Sequence, residues 1–132
     1  MAKGYKQMLA EAEALVASVS AGDMAGRLED ADIVMVDIRD PRELQREGMI
    51  PGAFHAPRGM LEFWVDPESP YHKEVFSSGK TFIFFCAAGW RSALATKTVQ
   101  DMGLEPVKHI DGGFGAWKKA GLPIEMPEEK TA

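Results

Sequence analysis

The chain has 132 residues, 45% hydrophobic and 27% charged, with a formal net charge of −5 and a pI near 5.2. That is enough for one hydrophobic core but too little for two ordinary domains, and the balance excludes a disordered or membranous chain. The acidic balance argues against nucleic acid as the main partner, and the single cysteine excludes an internal disulfide, a CxxC pair or a cysteine-rich zinc site. No apolar run approaches a bilayer span, and Met1 to Tyr5 lacks the apolar core of a signal peptide, so a cytoplasmic location with no membrane partner is expected.

Met8, Leu9, Ala12, Leu15 and Val16 recur at helical spacing with Glu11 and Glu13 off the stripe. The pattern predicts an amphipathic helix over 4–16, packed on the domain rather than serving as a dimer arm. Val16 to Val19 reads as a short first strand, and Ser20-Ala-Gly-Asp23 as a capping box opening a helix to about Leu28, with Met24 and Leu28 facing inward. Ile33 to Ile38 is an almost continuous apolar run rich in β-branched residues, as in a parallel strand covered on both faces. Asp37 interrupts it near the carboxyl end, where ligands collect in open α/β sheets. Two roles stand open for it: holding an active loop through backbone N–H groups or Arg91, or serving as a purely structural carboxylate. Asp40-Pro-Arg-Glu43 places an N-cap, a first-turn proline and an N3 carboxylate, which is a helix start without a catalytic role. Arg39 either pairs with Glu43 to brace this turn or forms a solvated surface pair.

Gly48 to Pro57 is turn-rich, with Ala53-Phe54 a short strand and His55 a hydrogen-bonded structural residue. Arg58 to Val65 predicts a short helix in which Phe63 packs in the core and Trp64 is the candidate pocket wall. Asp66 to Pro70 is a loop, and Tyr71 to Phe76 a short helical turn. Beyond the central segment, Ser92 to Met102 is a helix ended by Gly103, Val107 to Ile110 a last strand in which His109 is structural, and Asp111-Gly-Gly113 a turn into a helix carrying Phe114 and Trp117. Gly121 and Pro123 close that helix, and the polar tail from Met126 is expected to fray. Alternating strands and helices imply a layered α/β domain with a mainly parallel sheet.

Thr81 to Phe85 reads as a buried strand and the residues after Cys86 read as a helix, so Cys86 sits on the turn between them. Unpaired N–H groups and the positive end of a helix dipole favour an anion there. Gly89 allows successive N–H groups to converge, and Arg91 adds a permanent cation. A lone cysteine at the end of an apolar strand is otherwise core filler; Gly89 and Arg91 tip the reading to a reactive thiol.

The run Cys-Ala-Ala-Gly-Trp-Arg-Ser from Cys86 to Ser92 resembles the C-x-x-G-x-R-[ST] loop of the rhodanese-like sulfurtransferases. Asp37 to Glu43 resembles that family's D-x-R-x-x-x-E segment, Gly48 to Ala53 its G-H-I-P-G-A segment, and Gly112 to Pro123 its closing G-G-x-x-x-W-x-x-x-G-x-P. Met49 departs from the usual His, and Ala87 and Ala88 stand where thiosulfate-using members carry basic or polar side chains, leaving fewer side-chain charges for a dianionic donor. The resemblance implies a rhodanese-like α/β fold over 20–124, with helices on both faces of a mainly parallel sheet, preceded by a helical extension with a possible first strand over 1–19 and closed by a polar tail over 125–132. It implies Cys86 as the nucleophile, Ala87, Ala88, Gly89, Trp90, Arg91 and Ser92 as the substrate-binding loop, and Asp37, Arg39 and Glu43 as supporting residues. The reaction implied is sulfur transfer through a Cys86 persulfide from a small sulfur donor to a thiol acceptor, by a monomer or homodimer, with no metal, nucleotide or organic cofactor.

Two other readings compete. Cysteine phosphatases and arsenate reductases also run from Cys to Arg before a helix, but with one more residue, C-x-x-x-x-x-R, to surround a tetrahedral oxyanion. Only Ala87, Ala88, Gly89 and Trp90 lie between Cys86 and Arg91, which suits a single sulfur atom. A catalytically silent module that binds a partner or senses sulfur is the other alternative; such modules commonly lack the cysteine that this chain keeps.

Overall fold

The structure, a computed structural model, describes residues 2–127. The strands are β1 (Ala17–Val19), β2 (Ile33–Asp37), β3 (Phe54–His55), β4 (Thr81–Phe85) and β5 (Val107–Ile110). They form one sheet in the order β1-β5-β4-β2-β3, and every neighbouring pair is parallel. Its middle strand β4 is apolar on both faces because both are covered.

Side chains alternate across a strand, so the sequence of β4 divides between two cores. Phe82, Phe84 and then Cys86 turn toward one face, where they meet Leu61 and Val65 of α4 (Leu61–Val65) and Ala95 and Val99 of α5 (Trp90–Asp101). Ile83 and Phe85 turn to the other, against Ala21 and Met24 of α2 (Ala21–Met24) and Phe114 and Trp117 of α6 (Gly113–Lys119). Burying each such aromatic or branched side chain is worth roughly 1.5–3 kcal/mol. Trp117, fully buried, also donates its indole N–H to the Pro123 carbonyl at 2.7 Å.

Outside α5 lies α1 (Tyr5–Leu15), which packs through Leu9 and Ala12 against Ala93. The expected apolar stripe is therefore narrower than its sequence suggests: Met8 and Leu15 are exposed, because one neighbouring helix covers one narrow face. The Ser20–Asp23 capping box forms, but α2 stops at Met24 and a 3-10 turn over Ala25–Arg27 replaces its expected continuation. Phe63 is exposed rather than in the core, since α4 is short and turns Leu61 and Val65, one helical turn apart, inward instead. Glu125, expected to begin the tail, pairs with Met49 in an antiparallel bridge. Of the tail expected to fray from Met126, residues 128–132 lie outside the described residues. Among the described residues no helix is long and apolar enough to cross a membrane.

At the carboxyl end of β2 the chain buries a charge pair. Arg39 folds back on Asp37, with guanidinium N–H groups donating to the carboxylate at 2.8–3.3 Å and to the Gly48 carbonyl at 2.8 Å. It also lies over the Phe114 ring, 4.1 Å from its centroid. Both side chains are essentially buried. Of the two roles open for Asp37, the contacts are those of the structural carboxylate, and it does not reach Arg91; Arg39 matches neither of its expected roles, being paired with Asp37 and not with Glu43, and buried rather than at the surface. Glu43 sits in the first turn of α3 (Pro41–Glu47), where its carboxylate accepts from the Asp40 N–H and makes no hydrogen bond with Arg39. Breaking a buried pair from one side leaves the other charge stranded, which costs about 3–5 kcal/mol. Arg39→Met is expected to lose stability of that order, and adding Asp37→Asn to recover part of it. Chemical denaturation of the two single variants and the double variant checks this; strictly additive losses would mean that the two side chains act independently.

Candidate active site

Cys86 leaves β4 buried, with its sulfur on the floor of a short loop. Gly89 makes that loop possible: its φ of 105° is a left-handed conformation unfavourable to residues with a side chain, and its N–H turns in to meet Sγ at 3.1 Å. The helix α5 starts at the next residue, and the Ser92 N–H reaches the same sulfur at 3.4 Å. Sγ also lies 3.6 Å from the Ser92 hydroxyl. Of the N–H groups expected to converge from Ala87 to Arg91, the one that meets the sulfur is that of Gly89, joined by Ser92 from the first turn of the helix.

The loop is fastened from behind by the start of α6. The Phe114 N–H donates to the Cys86 carbonyl at 2.7 Å and the Gly115 N–H to the Ala87 carbonyl at 2.9 Å. A Cβ on Gly113 would collide with the Cys86 carbonyl oxygen, which explains the glycine at the first position of this helix. Ala88 and Trp90 are exposed on the loop's outer side, and Trp90 leans on Tyr5 of α1 with ring centroids 5.7 Å apart.

Arg91 pairs with Glu43 while its charge stays within reach of Cys86. Two N–H groups of the guanidinium meet the two carboxylate oxygens, each at 2.8 Å, in a bidentate pair. The Arg91 hydrogen bonds, aided by the Asp40 N–H, hold the Glu43 carboxyl down to about 2 against the opposing effect of burial. Glu43 thus supports the site by gripping Arg91, and not through the expected contact with Arg39. Trp64 is not brought to the loop. It packs edge-on against Phe54 at 6.1 Å between centroids, with Lys73 over its ring, so the expected pocket wall is part of the core margin.

His55, expected to be structural, bonds to the Arg39 carbonyl through Nε2. His109, expected to be the same, is instead within the site: its Nδ1 lies 3.0 Å from the Ser92 hydroxyl, which is itself beside Cys86. Nothing local in Val107 to Ile110 signals this. The sheet register does, because β5 pairs with β4 such that His109 stands opposite Phe84, two residues before Cys86 on the same face.

A cysteine that meets helix-terminal N–H groups at the carboxyl end of a central parallel strand is the arrangement this α/β domain presents where ligands collect in open α/β sheets. A family model for the rhodanese-like domain matches residues 20–120. A sulfurtransferase from Allochromatium vinosum is 32% identical over 115 residues, covering 86% of this chain and 99% of that protein. The thiosulfate sulfurtransferase GlpE of Vibrio cholerae is 32% identical over 99 residues, 74% of this chain and 84% of its own. The chain belongs to the rhodanese-like family. Among solved structures, a Rhodopseudomonas palustris protein of unknown function, described as a possible tyrosine phosphatase, superposes with a TM-score of 0.91 at 55% identity, covering 95% of this chain and 96% of its own.

The Glu43–Arg91 pair has a defined pH signature. A carboxyl whose folded-state value is lowered from 4.5 to about 2 contributes stability that is fully present above 4.5 and is lost as pH falls through about 2. Glu43→Gln is therefore expected to be less stable than wild type at neutral pH, with the deficit shrinking across that acid window. Unfolding measured from neutral pH down to that limit checks it; a deficit that stays constant would mean that the charge on Glu43 is not its source.

Proposed function

We propose that the protein is a rhodanese-type sulfurtransferase that works through a persulfide on Cys86. The observation that carries this reading is a lone buried cysteine whose sulfur receives the Gly89 and Ser92 N–H groups at 3.1 and 3.4 Å in a loop with four residues between Cys and Arg. In the first half-reaction the Cys86 thiolate attacks the outer sulfur of a donor, the donor's S–S bond breaks, and the remainder leaves with the electron pair. In the second, a thiolate acceptor attacks the terminal sulfur and Cys86 leaves as the thiolate. The N–H groups aimed at Sγ stabilise the negative charge at both stages. The family match and the relatives named as sulfurtransferases support the reaction class.

The phosphatase description attached to the R. palustris relative fits this loop less well. Its span is one residue short of the oxyanion-enclosing loops. In addition, Arg91 is engaged by Glu43, and Glu43, ionised down to about 2, has no proton for a leaving alkoxide at neutral pH.

The same pairing bears on the donor. Arg91 is the loop's cation, and its charge is balanced by Glu43, while Ala87, Ala88 and Trp90 give the loop an apolar outer surface. Covering a few tens of Å² of an organic donor contributes on the order of 1 kcal/mol, about fivefold in specificity. An organic persulfide or thiosulfonate is the preferred donor over thiosulfate, with a small thiol as acceptor.

Incubation with a sulfane donor is expected to add one sulfur, about 32 Da, to the intact protein. The gain should be absent in Cys86→Ser and reversed by reductant. Failure to load from any of several donors would favour the silent binding module, and Cys86-dependent hydrolysis of an aryl phosphate would restore the phosphatase reading. For the donor, kcat/KM should be higher with an organic persulfide than with thiosulfate, and Trp90→Ala should lower the organic value selectively. A wild-type preference for thiosulfate would sink the donor assignment, while equal losses for both donors would place Trp90 in loop structure.

A further inference from the structure

We propose that His109 is a positioning residue for the nucleophile, relaying the Cys86 proton through Ser92 to a cavity behind the active loop. The inference rests on the reading of Cys86 as the reacting thiol. Three side chains from three elements form a line: Cys86 Sγ after β4, Ser92 Oγ on α5 at 3.6 Å, and His109 Nδ1 on β5 at 3.0 Å from that oxygen. All three are buried, and they share one face of the sheet through the parallel pairing of β4 and β5.

Beyond His109 lies a cavity of about 340 Å³, bordered by His109, Ser18, Glu13, Asp111, Gly89 and Trp90. Nδ1 is taken by Ser92, and Nε2 has no partner among the described residues, which leaves it to the cavity. The charged groups facing the imidazole are Glu13 from α1 and Asp111 from the end of β5, while β1 adds the Ser18 hydroxyl and α5 the Ser92 hydroxyl. Burial pushes the imidazole below its ordinary value and outweighs the pull of Asp111 and Glu13 in the other direction. A neutral ring suits a relay better than a proton store.

The step balances without oxidation or reduction. The S–H bond of Cys86 breaks as its proton passes to Ser92 Oγ, and the hydroxyl proton already there passes to His109 Nδ1. The proton on Nε2 leaves to water in the cavity. The imidazole ends neutral with its hydrogen on Nδ1, the hydroxyl now points its hydrogen at sulfur, and the negative charge rests on Sγ. Two of the cavity's walls, Glu13 and Ser18, come from the segment before the family-matched residues, so this chain's own N-terminal helix and first strand complete the exit.

The test measures the Cys86 thiolate directly, by its ultraviolet absorbance against pH with Cys86→Ser as the blank, and needs no sulfur donor. In His109→Phe the Ser92 hydroxyl is no longer held toward sulfur by Nδ1–H and is free to donate to the Gly89 carbonyl at 3.3 Å, so the midpoint should rise by about one pH unit, a tenfold smaller thiolate-to-thiol ratio at a given pH. Ser92→Ala should do the same, and the double variant should be no worse than Ser92→Ala alone. An unshifted midpoint in a folded His109→Phe, or additive shifts in the double variant, overturns the relay while leaving sulfur transfer standing. Conversely, a shifted midpoint in a protein that never loads sulfur upholds the relay and sinks the transfer reading. Should His109→Phe fail to fold, nitrogen NMR of the wild-type imidazole decides: the ring proton should move from Nε2 to Nδ1 as Cys86 ionises and stay put in Cys86→Ser. A tautomer unchanged through that titration overturns the proposal.

Discussion

The carbonyls of Cys86 and Ala87 are tied to the first N–H groups of α6, and the rest of the site depends on that pair of hydrogen bonds. A loop that turns its N–H groups toward one sulfur must leave its carbonyls on the other side, where buried oxygens need donors. Phe114 and Gly115 supply them, and the contact is so close that Gly113 has no room for a Cβ. The glycine-rich turn some twenty-five residues downstream of the cysteine is thus the back plate of the cysteine loop. With the carbonyls fixed, Gly89 and Ser92 are left facing the sulfur without further adjustment.

Electrostatics depend on this geometry through a division of partners. Asp37 and Arg39 satisfy each other inside the domain, while Glu43 and Arg91 do so at its margin. The inner pair joins the end of β2 to the turn at Gly48 and to the Phe114 ring, and so belongs to the scaffold that carries α6. The outer pair holds the first turn of α5 to the first turn of α3. The two arginines therefore do different things: one braces the back plate, the other ties two helix starts together at the mouth of the loop.

The N-terminal segment adds a third layer. α1 covers α5 through Leu9 and Ala12, its Tyr5 supports Trp90, and β1 extends the sheet beside β5. The helix whose N-terminus faces Cys86 is thereby held on its outer side as well as against the sheet. The cavity beside His109 exists because these added elements stand off from the loop rather than filling the space.

Much of this was legible in the sequence. The apolar runs at Ile33 to Ile38 and Thr81 to Phe85 announce buried parallel strands, the two capping boxes announce helix starts, and Cys86 and Gly89 in their spacing announce a turn that brings backbone N–H groups to the sulfur, because each of these signals is local and acts through backbone geometry within a few residues. Pairing is not local. Whether Arg39 takes Asp37 or Glu43, whether Trp64 or Phe63 turns inward, and whether His109 stands apart from the cysteine loop or beside it depend on strand register and helix rotation. Those are set by the packing of the whole core, which places residues far apart in the chain on one face. The sequence by itself determined which turn holds the cysteine and aims backbone N–H groups at it; the tertiary structure decided which side chains that turn answers to.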